Sequence, residues 1–398
     1  MSLIVQKFGG SSLSDARRLC TAARRAADTC KKGNQVVVVV SAQGRTTDRL
    51  IEKARELWPQ PPVRELDALL STGEQASSAL MAMAVTAMGC PAVSLTGWQS
   101  GIQTDDVYGN ARILKVEASR IRQELSKGMV VVAAGFQGIS PGQDITTLGR
   151  GGSDTTAVAL GAALGAEKCQ IFTDVDGIFT ADPAVVPQAV KLREISCDTM
   201  LELAAMGARV LHDRSVALAK QYHVTVEVLS ASGNCEGTQL IPSSQQTGLW
   251  GITADRTVLL CPVEGQEEGA KLCCRMGQAG IRADGAFREA EASLLVLPEK
   301  QWEQAARLGQ EQGLSLTAQS GWARITAAGQ GLMTIPLLEK EFYDAMEKAG
   351  IAYGESWLMN QRFSVLVPVH QADEAIRALH PVVLRYLPVS VYEPPADL

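Results

Sequence analysis

The residues with the clearest chemistry lie in one stretch, 146–183, which reads TTLGRGGSDTTAVALGAALGAEKCQIFTDVDGIFTADP. Gly149, Arg150, Gly151, Gly152, Ser153 and Asp154 lead into an Ala/Leu/Val run long enough for about three helical turns. Ser153 or Asp154 would cap that helix. Residues without side chains at a helix entrance let an anion reach the free N–H groups at the positive end of the dipole, and phosphate suits them. The helix closes at Gly165, a short strand is expected over 170–173, and Asp174, Asp176 and Asp182 follow. Carboxylates this near a phosphate site suggest contacts to a nucleotide or its metal. An ordinary helix–strand unit, with glycines for close packing and aspartates in turns, fits the same letters.

Two further positions carry chemistry. Leu3 to Phe8 reads as a strand that carries Lys7 near its end and runs into Gly9, Gly10, Ser11 and Ser12. A lysine there can aim its ammonium at a phosphate held by the glycines, or simply be solvated at a strand end; the GxxxxGK[ST] loop is absent. Glu74 sits among small residues in an otherwise apolar helix, in the run Ser71, Thr72, Gly73, Glu74, Gln75. It is either a carboxylate for a substrate ammonium or a surface glutamate.

These residues need a scaffold, and the pattern supplies one. Val36–Val40 is an unbroken β-branched run, as expected of a parallel strand covered on both faces, with Ser41 at its carboxyl end, where open α/β sheets bind ligands. Further strands are expected at 92–95, 129–136 and 224–229, with helices between them, so the sheet is mainly parallel with helices on both faces. His212 has no acid or thiol at a recognisable spacing and reads as structural. The stretch 230–248, rich in Ser, Gly, Gln and Thr, marks a domain boundary.

Beyond it the chain repeats with an offset of 70 residues: Ala279, Gly280 and Ile281 recur as Ala349, Gly350 and Ile351, and Pro298 and Gln301 as Pro368 and Gln371. Each copy reads strand, helix, strand, strand, helix, which suggests two small βαββαβ units. Neither holds a nucleophile, a base or a metal cluster.

Composition narrows the functional classes. With 398 residues, 46% hydrophobic and 20% charged, the chain is long enough for two or three domains. A net charge of −6 without basic blocks argues against a nucleic-acid partner. No apolar run reaches membrane-spanning length, and no signal peptide is evident, since 3–8 is short and interrupted by Gln6 and Lys7. Nine cysteines without CxxC spacing fit free thiols in a reducing cytoplasm.

In register, KFGGSS at 7–12, TTDR at 46–49, STGEQ at 71–75, TLGRGGSDTTA at 147–157 and TDVDGIFTADP at 173–183 resemble aspartate kinases. The match covers about residues 3–241, and the repeat is similar to the tandem ACT domains of that family. The resemblance implies an amino acid kinase fold over 1–241, a linker at 242–256 and ACT-like domains at 257–320 and 321–398. It implies transfer of the γ-phosphoryl of ATP to the β-carboxylate of L-aspartate, as the entry to lysine, threonine and methionine synthesis.

Residue by residue, the resemblance gives Lys7 and Asp154 catalytic roles, Lys7 along the phosphates and Asp154 either orienting it or helping to organise the metal nucleotide. Gly9 and Gly10 would offer N–H groups to phosphate. Arg150 would fork onto a substrate carboxylate, Thr47 and Ser153 would donate hydrogen bonds, and Glu74 would take the α-ammonium. Ser41, Thr173, Asp174, Phe179, Asp182 and Arg209 match nucleotide-side positions. Mg2+ would be held mainly by phosphate oxygens and water. A homodimer or homotetramer through the ACT-like domains is expected.

The chain also departs from the family. Arg209 stands where a lysine is usual, and Asp213 replaces a common proline. Neither repeat has the usual Pro-Gly turn after its first strand, and Trp357, Leu358, Met359 and Asn360 stand where small hydroxyl residues are frequent. Weak or absent inhibition by lysine or threonine follows as an expectation, beside the alternative of an effector site built from different residues. A kinase of the same fold for another acidic acceptor, or a non-catalytic amino-acid sensor, are the competing readings. Glu74 speaks against N-acylated acceptors, and Lys7, Arg150 and Asp154 against a sensor.

Overall fold

Val36–Val40, buried to the last side chain, lie at the middle of the first sheet. The computed structural model describes residues 2–208, 210–233, 236–244, 246–287 and 292–392. These form two compact units, one of Met1–Ile178, Lys191–Leu201 and Arg209–Ser244, the other of Phe179–Val190, Glu202–Ala208 and Gln245–Leu398.

Up to residue 241 the elements are β1 (Leu3–Phe8), α1 (Ala16–Lys31), β2 (Gln35–Val40), α2 (Thr46–Leu57), α3 (Val63–Ala87), β3 (Ala92–Leu95), β4 (Ile102–Thr104), β5 (Ile113–Val116), α4 (Ser119–Ser126), β6 (Val130–Ala134), β7 (Gln137–Ile139), β8 (Ile145–Thr147), α5 (Gly152–Leu164), β9 (Lys168–Thr173), β10 (Glu194–Ser196), α6 (Cys197–Ala205), α7 (Asp213–Tyr222), β11 (Val226–Ser230) and β12 (Thr238–Ile241). The main sheet has the order β10-β12-β11-β9-β1-β2-β6-β3. Its pairs are parallel except β11 with β12. β5, β4, β7 and β8 form a small second sheet.

Alternation along the strands sends side chains to two covered faces. Phe8, Val36, Val38, Val40, Val130 and Val132 pack with Leu19, Ala23 and Ala26 of α1 and Met81 and Val85 of α3. On the other face α5 lies against β1, β2 and β9, where Gly161 meets Val5 and Cys169. Lys7, two residues after Val5, shares the α5 face.

In the second unit β13 (Gly248–Glu264), α8 (Gln266–Gln278), β14 (Asp284–Phe287), β15 (Ala292–Pro298) and α9 (Trp302–Glu311) are followed by β16 (Gln319–Gln330), α10 (Leu338–Lys348), β17 (Ser356–Leu358), β18 (Arg362–Pro368) and α11 (Ala372–Arg385). β15 and β18 begin 70 positions apart, as do α9 and α11. Both copies belong to one antiparallel sheet, β14-β15-β13-β16-β18-β17, joined through β13 and β16.

Strand β13 starts inside the stretch 242–256 that the sequence reading assigned to a linker. Gly248 and Gly251 conceal the strand pattern there, although Leu249, Trp250 and Ile252 are buried. Each copy has its own core. Leu272 and Met276 pack with Leu295 and Leu297 in the first, and Phe342 stacks on Phe363 at 4.4 Å in the second. Behind this sheet Arg324, only 4% exposed, is paired with Asp284 and Asp255. Arg362 is paired with Asp284 at 2.7 Å and with Glu202 at 3.1 Å.

Candidate active site

β1 runs between β2 and β9, with Lys7 opposite Val39 and Ile171, so the lysine comes from the centre of the sheet. Its Nζ stands 2.6 Å from Oδ1 of Asp154, which α5 carries in its first turn. Both side chains are nearly enclosed, at 12% and 13% exposure. Sheet order brings the two together, since α5 packs on β1 and its N-terminus lies at the carboxyl edge.

The turn after β1 is tight. Gly44 N–H donates to Gly10 O at 2.9 Å and Ser12 N–H donates to Gly9 O at 3.0 Å. A Cβ on Gly10 would stand 2.6 Å from the Ala42 carbonyl oxygen, and one on Gly9 would stand 3.6 Å from Lys7 Nζ. The turn therefore lies close beside the ammonium. Ser41 is half-buried after β2, its N–H donating to Phe8 O at 3.1 Å.

Glu74 is 3% exposed, in the middle of α3. Ala42 N–H donates to its Oε1 at 2.9 Å, and its Oε2 is buried with no hydrogen-bond partner. Burial pushes the carboxyl up to about 7, against the pull of the backbone hydrogen bonds. An unmet carboxylate oxygen in such a place calls for a cationic ligand. Gly73 packs against Ala42 and Thr46, so the first turn of α2, with half-buried Thr47, lies against the same part of α3.

Arg150 is exposed, between β8 and α5. Gly151 has φ +69°, and a Cβ on it would stand 2.3 Å from the His212 Cβ. His212 is the N-cap of α7, with Nδ1 2.7 Å from Asp213 Oδ1. Arg214 Nη1 donates to Leu148 O at 3.1 Å. The start of α7 thus backs the glycine-rich turn. Ser153 is buried against Gly135, just past β6.

Thr173 ends β9, its Oγ1 donating to Asp174 Oδ1 at 3.1 Å. Exposed Asp174 lines a cleft of about 570 Å³ with Ser11 and Ser12. Phe179 and Asp182 belong to the second unit, where Ala184 N–H donates to Asp182 Oδ1 at 2.9 Å. Arg209 lies outside the described residues. Among the described residues no group of three His, Cys, Asp or Glu side chains is arranged to hold a metal ion, and no helix is long and apolar enough to cross a membrane.

The sequence reading passed over Asp67, which is 1% exposed and accepts hydrogen bonds from Gly109 N–H, Thr147 N–H and Thr147 Oγ1. It stands seven residues before Glu74, on the same face of α3 two turns away, and that spacing was the available signal. Gln137 is similarly buried, donating to Ser71 O at 2.9 Å.

The amino acid kinase family model matches residues 2–230. The aspartokinase of Geobacillus stearothermophilus is 41% identical over 393 residues, 96% of this chain and 97% of the relative. Aspartokinase 2 of Bacillus subtilis is 39% identical over 396 residues, again 96% of this chain and 97% of the relative. Among solved structures, E. coli aspartokinase III in complex with aspartate and ADP superposes with a TM-score of 0.81 at 23% identity, covering 96% of this chain and 100% of that one. The aspartate kinase of Synechocystis, at 33% identity, gives 0.56 over 100% of this chain and 71% of that one. On identity sustained over nearly the whole length, this chain belongs to the aspartokinases of the amino acid kinase family.

Proposed function

We propose that this chain transfers the γ-phosphoryl group of ATP to the β-carboxylate of L-aspartate, giving 4-phospho-L-aspartate at the start of lysine, threonine and methionine synthesis. The observation that carries the reading is the Lys7–Asp154 contact of 2.6 Å beside the Gly9–Gly10 turn. A carboxylate is already nucleophilic at neutral pH, so the reaction needs positioning and charge neutralisation more than a base.

Bound ATP would supply the phosphoryl group, and Mg2+ bound with it would neutralise part of its charge. Gly10, whose Cβ would meet the Ala42 carbonyl oxygen, keeps the turn tight, and the Gly9–Gly10 turn offers its backbone N–H groups to phosphate. Lys7 stabilises the charge that develops on the transferring group, and Asp154 keeps the ammonium aimed. Glu74, with its unmet Oε2, takes the α-ammonium of aspartate. Exposed Arg150 forks onto a carboxylate, while Thr47 and Ser153 donate hydrogen bonds. Ser41, Thr173, Asp174, Phe179, Asp182 and Arg209 serve the nucleotide. The solved E. coli enzyme holds aspartate and ADP in one structure and lysine and aspartate in another, and we extend aspartate and nucleotide to this chain.

Residues 1–241 carry catalysis in this reading, and the repeats at 257–320 and 321–398 are ACT-like domains through which a homodimer or homotetramer forms in the cytoplasm. Bulky Trp357 and Leu358, at the sheet edge in β17, and exposed Met359 are poor partners for a bound amino acid, so lysine and threonine inhibit weakly or not at all. Trapping the acyl phosphate as its hydroxamate, with L-aspartate and ATP, tests the activity. Turnover with another acidic acceptor and none with aspartate would overturn the substrate assignment.

A further inference from the structure

Asp67 is a buried carboxylate that no basic side chain reaches among the described residues. Three donors meet its charge: Gly109 N–H and Thr147 N–H to Oδ2, each at 2.8 Å, and Thr147 Oγ1 to Oδ1 at 2.7 Å. Burial pushes this carboxyl above the ordinary aspartate range in spite of those bonds.

The bonds converge on Thr147, whose carbonyl oxygen also accepts from Ala111 N–H at 2.9 Å. Every polar group of Thr147 is therefore fixed. From there the chain reaches Arg150 through Leu148 and Gly149. Leu148 N–H donates to Phe136 O at 2.8 Å. Gly149 has φ +75° and lies against Gly109 and Asn110, where a Cβ would come within 3.1 Å of Gly109 O. The next residues include Gly151 and Gly152, which add no stiffness of their own. The start of α7 backs the turn from one side, and Asp67 holds its root by bonding both Gly109 and Thr147.

Asp67 and Glu74 share one face of α3, two helical turns and about 10 Å apart along its axis. We propose that Asp67 is a positioning residue for the acceptor amino acid: it ties the Arg150 turn to α3, so that one rigid helix sets the separation between the carboxylate-binding guanidinium and the ammonium-binding Glu74. This deepens the acceptor-site reading above and rests on it.

Steady-state kinetics on the full chain test it, with KM for aspartate measured at saturating ATP and KM for ATP at saturating aspartate. Asp67→Ala is expected to raise KM for aspartate about 10- to 100-fold, in line with the cost of a misplacement near 1 Å, and to leave KM for ATP within about twofold. Asp67→Asn keeps a carbonyl oxygen for the two N–H groups and an amide that the Thr147 hydroxyl can bond in the reverse sense, so KM for aspartate recovers to within about fivefold of the parent.

Should Asp67→Ala not fold, Thr147→Val removes one donor at nearly constant volume and is expected to raise KM for aspartate severalfold. An unchanged KM for aspartate in the folded variant, or an equal rise in both KM values, overturns the proposal. Arg150→Ala is run beside them. If it raises KM for aspartate while the Asp67 variants do not, the positioning role alone fails; if Arg150→Ala also has no effect, the acceptor-site assignment falls and the proposal with it.

Discussion

The Lys7 ammonium meets the Asp154 carboxylate at 2.6 Å, the first from the end of a central strand and the second from the first turn of a helix that covers the same face. With its counter-charge that close, Lys7 is held in one place before any ligand arrives. Lys7→Ala is expected to lower kcat by about 10²- to 10³-fold with a smaller change in KM for aspartate. Hydroxamate trapping reads the rate, and undiminished turnover would remove Lys7 from the chemistry.

Burial holds the Glu74 carboxyl up near about 7, above its ordinary 4.5. Between those values the folded chain keeps a proton that the unfolded chain has released, so stability falls as pH rises through this window. The full loss is on the order of 3 kcal/mol. Glu74→Gln should flatten that part of the Tm against pH curve. Aspartate makes the opposite demand, because its ammonium needs the ionised carboxylate. KM for aspartate therefore falls as pH rises through 7, and calorimetry in buffers of different ionisation enthalpy should show a proton released on binding.

Gly10→Ala puts a methyl group 2.6 Å from the Ala42 carbonyl oxygen, a backbone atom that cannot turn aside. We expect a stability loss of about 1 to 3 kcal/mol by urea unfolding, and weaker ATP binding than the parent. A variant of parental stability and affinity would mean that the turn relaxes at no cost.

Arg324 is buried between Asp284 and Asp255, and burial draws its pKa below the ordinary guanidinium value. Arg324→Ala strands part of this acidic charge and is expected to cost about 3 to 5 kcal/mol, measured by denaturant titration. Arg324→Lys keeps the charge without the fork and should recover only part of it.

Lysine and threonine, each at millimolar concentration and also together, are expected to leave turnover within about twofold of the uninhibited rate, a difference of about 0.4 kcal/mol at most. Steep inhibition by either one would show that an effector site has been built from different side chains.

Much of the scaffold was legible because local patterns decide it. The valine run of β2 and the glycines bounding α5 leave little choice once a parallel sheet is assumed. The nearness of Lys7 to Asp154 came only from the family resemblance, because it depends on α5 packing against β1, and neither motif by itself contains that information. Asp67 belongs to none of the motifs, and its burial depends on β8 and the loop at 109–111 closing over it. Strand β13 escaped notice between 248 and 256 because its glycines interrupt the alternation, and burial there comes from partners distant in sequence, such as Leu203 against Gly251.

The pairing of β13 with β16 at the centre of the second sheet has a consequence for how the repeat can be cut or inherited. Severing the chain between α9 and β16 would expose the longest ladder in the sheet on both pieces, two sticky seams of unpaired amides and carbonyls. The two similar copies share this seam, so we expect them to unfold together and neither to be stable when transplanted alone.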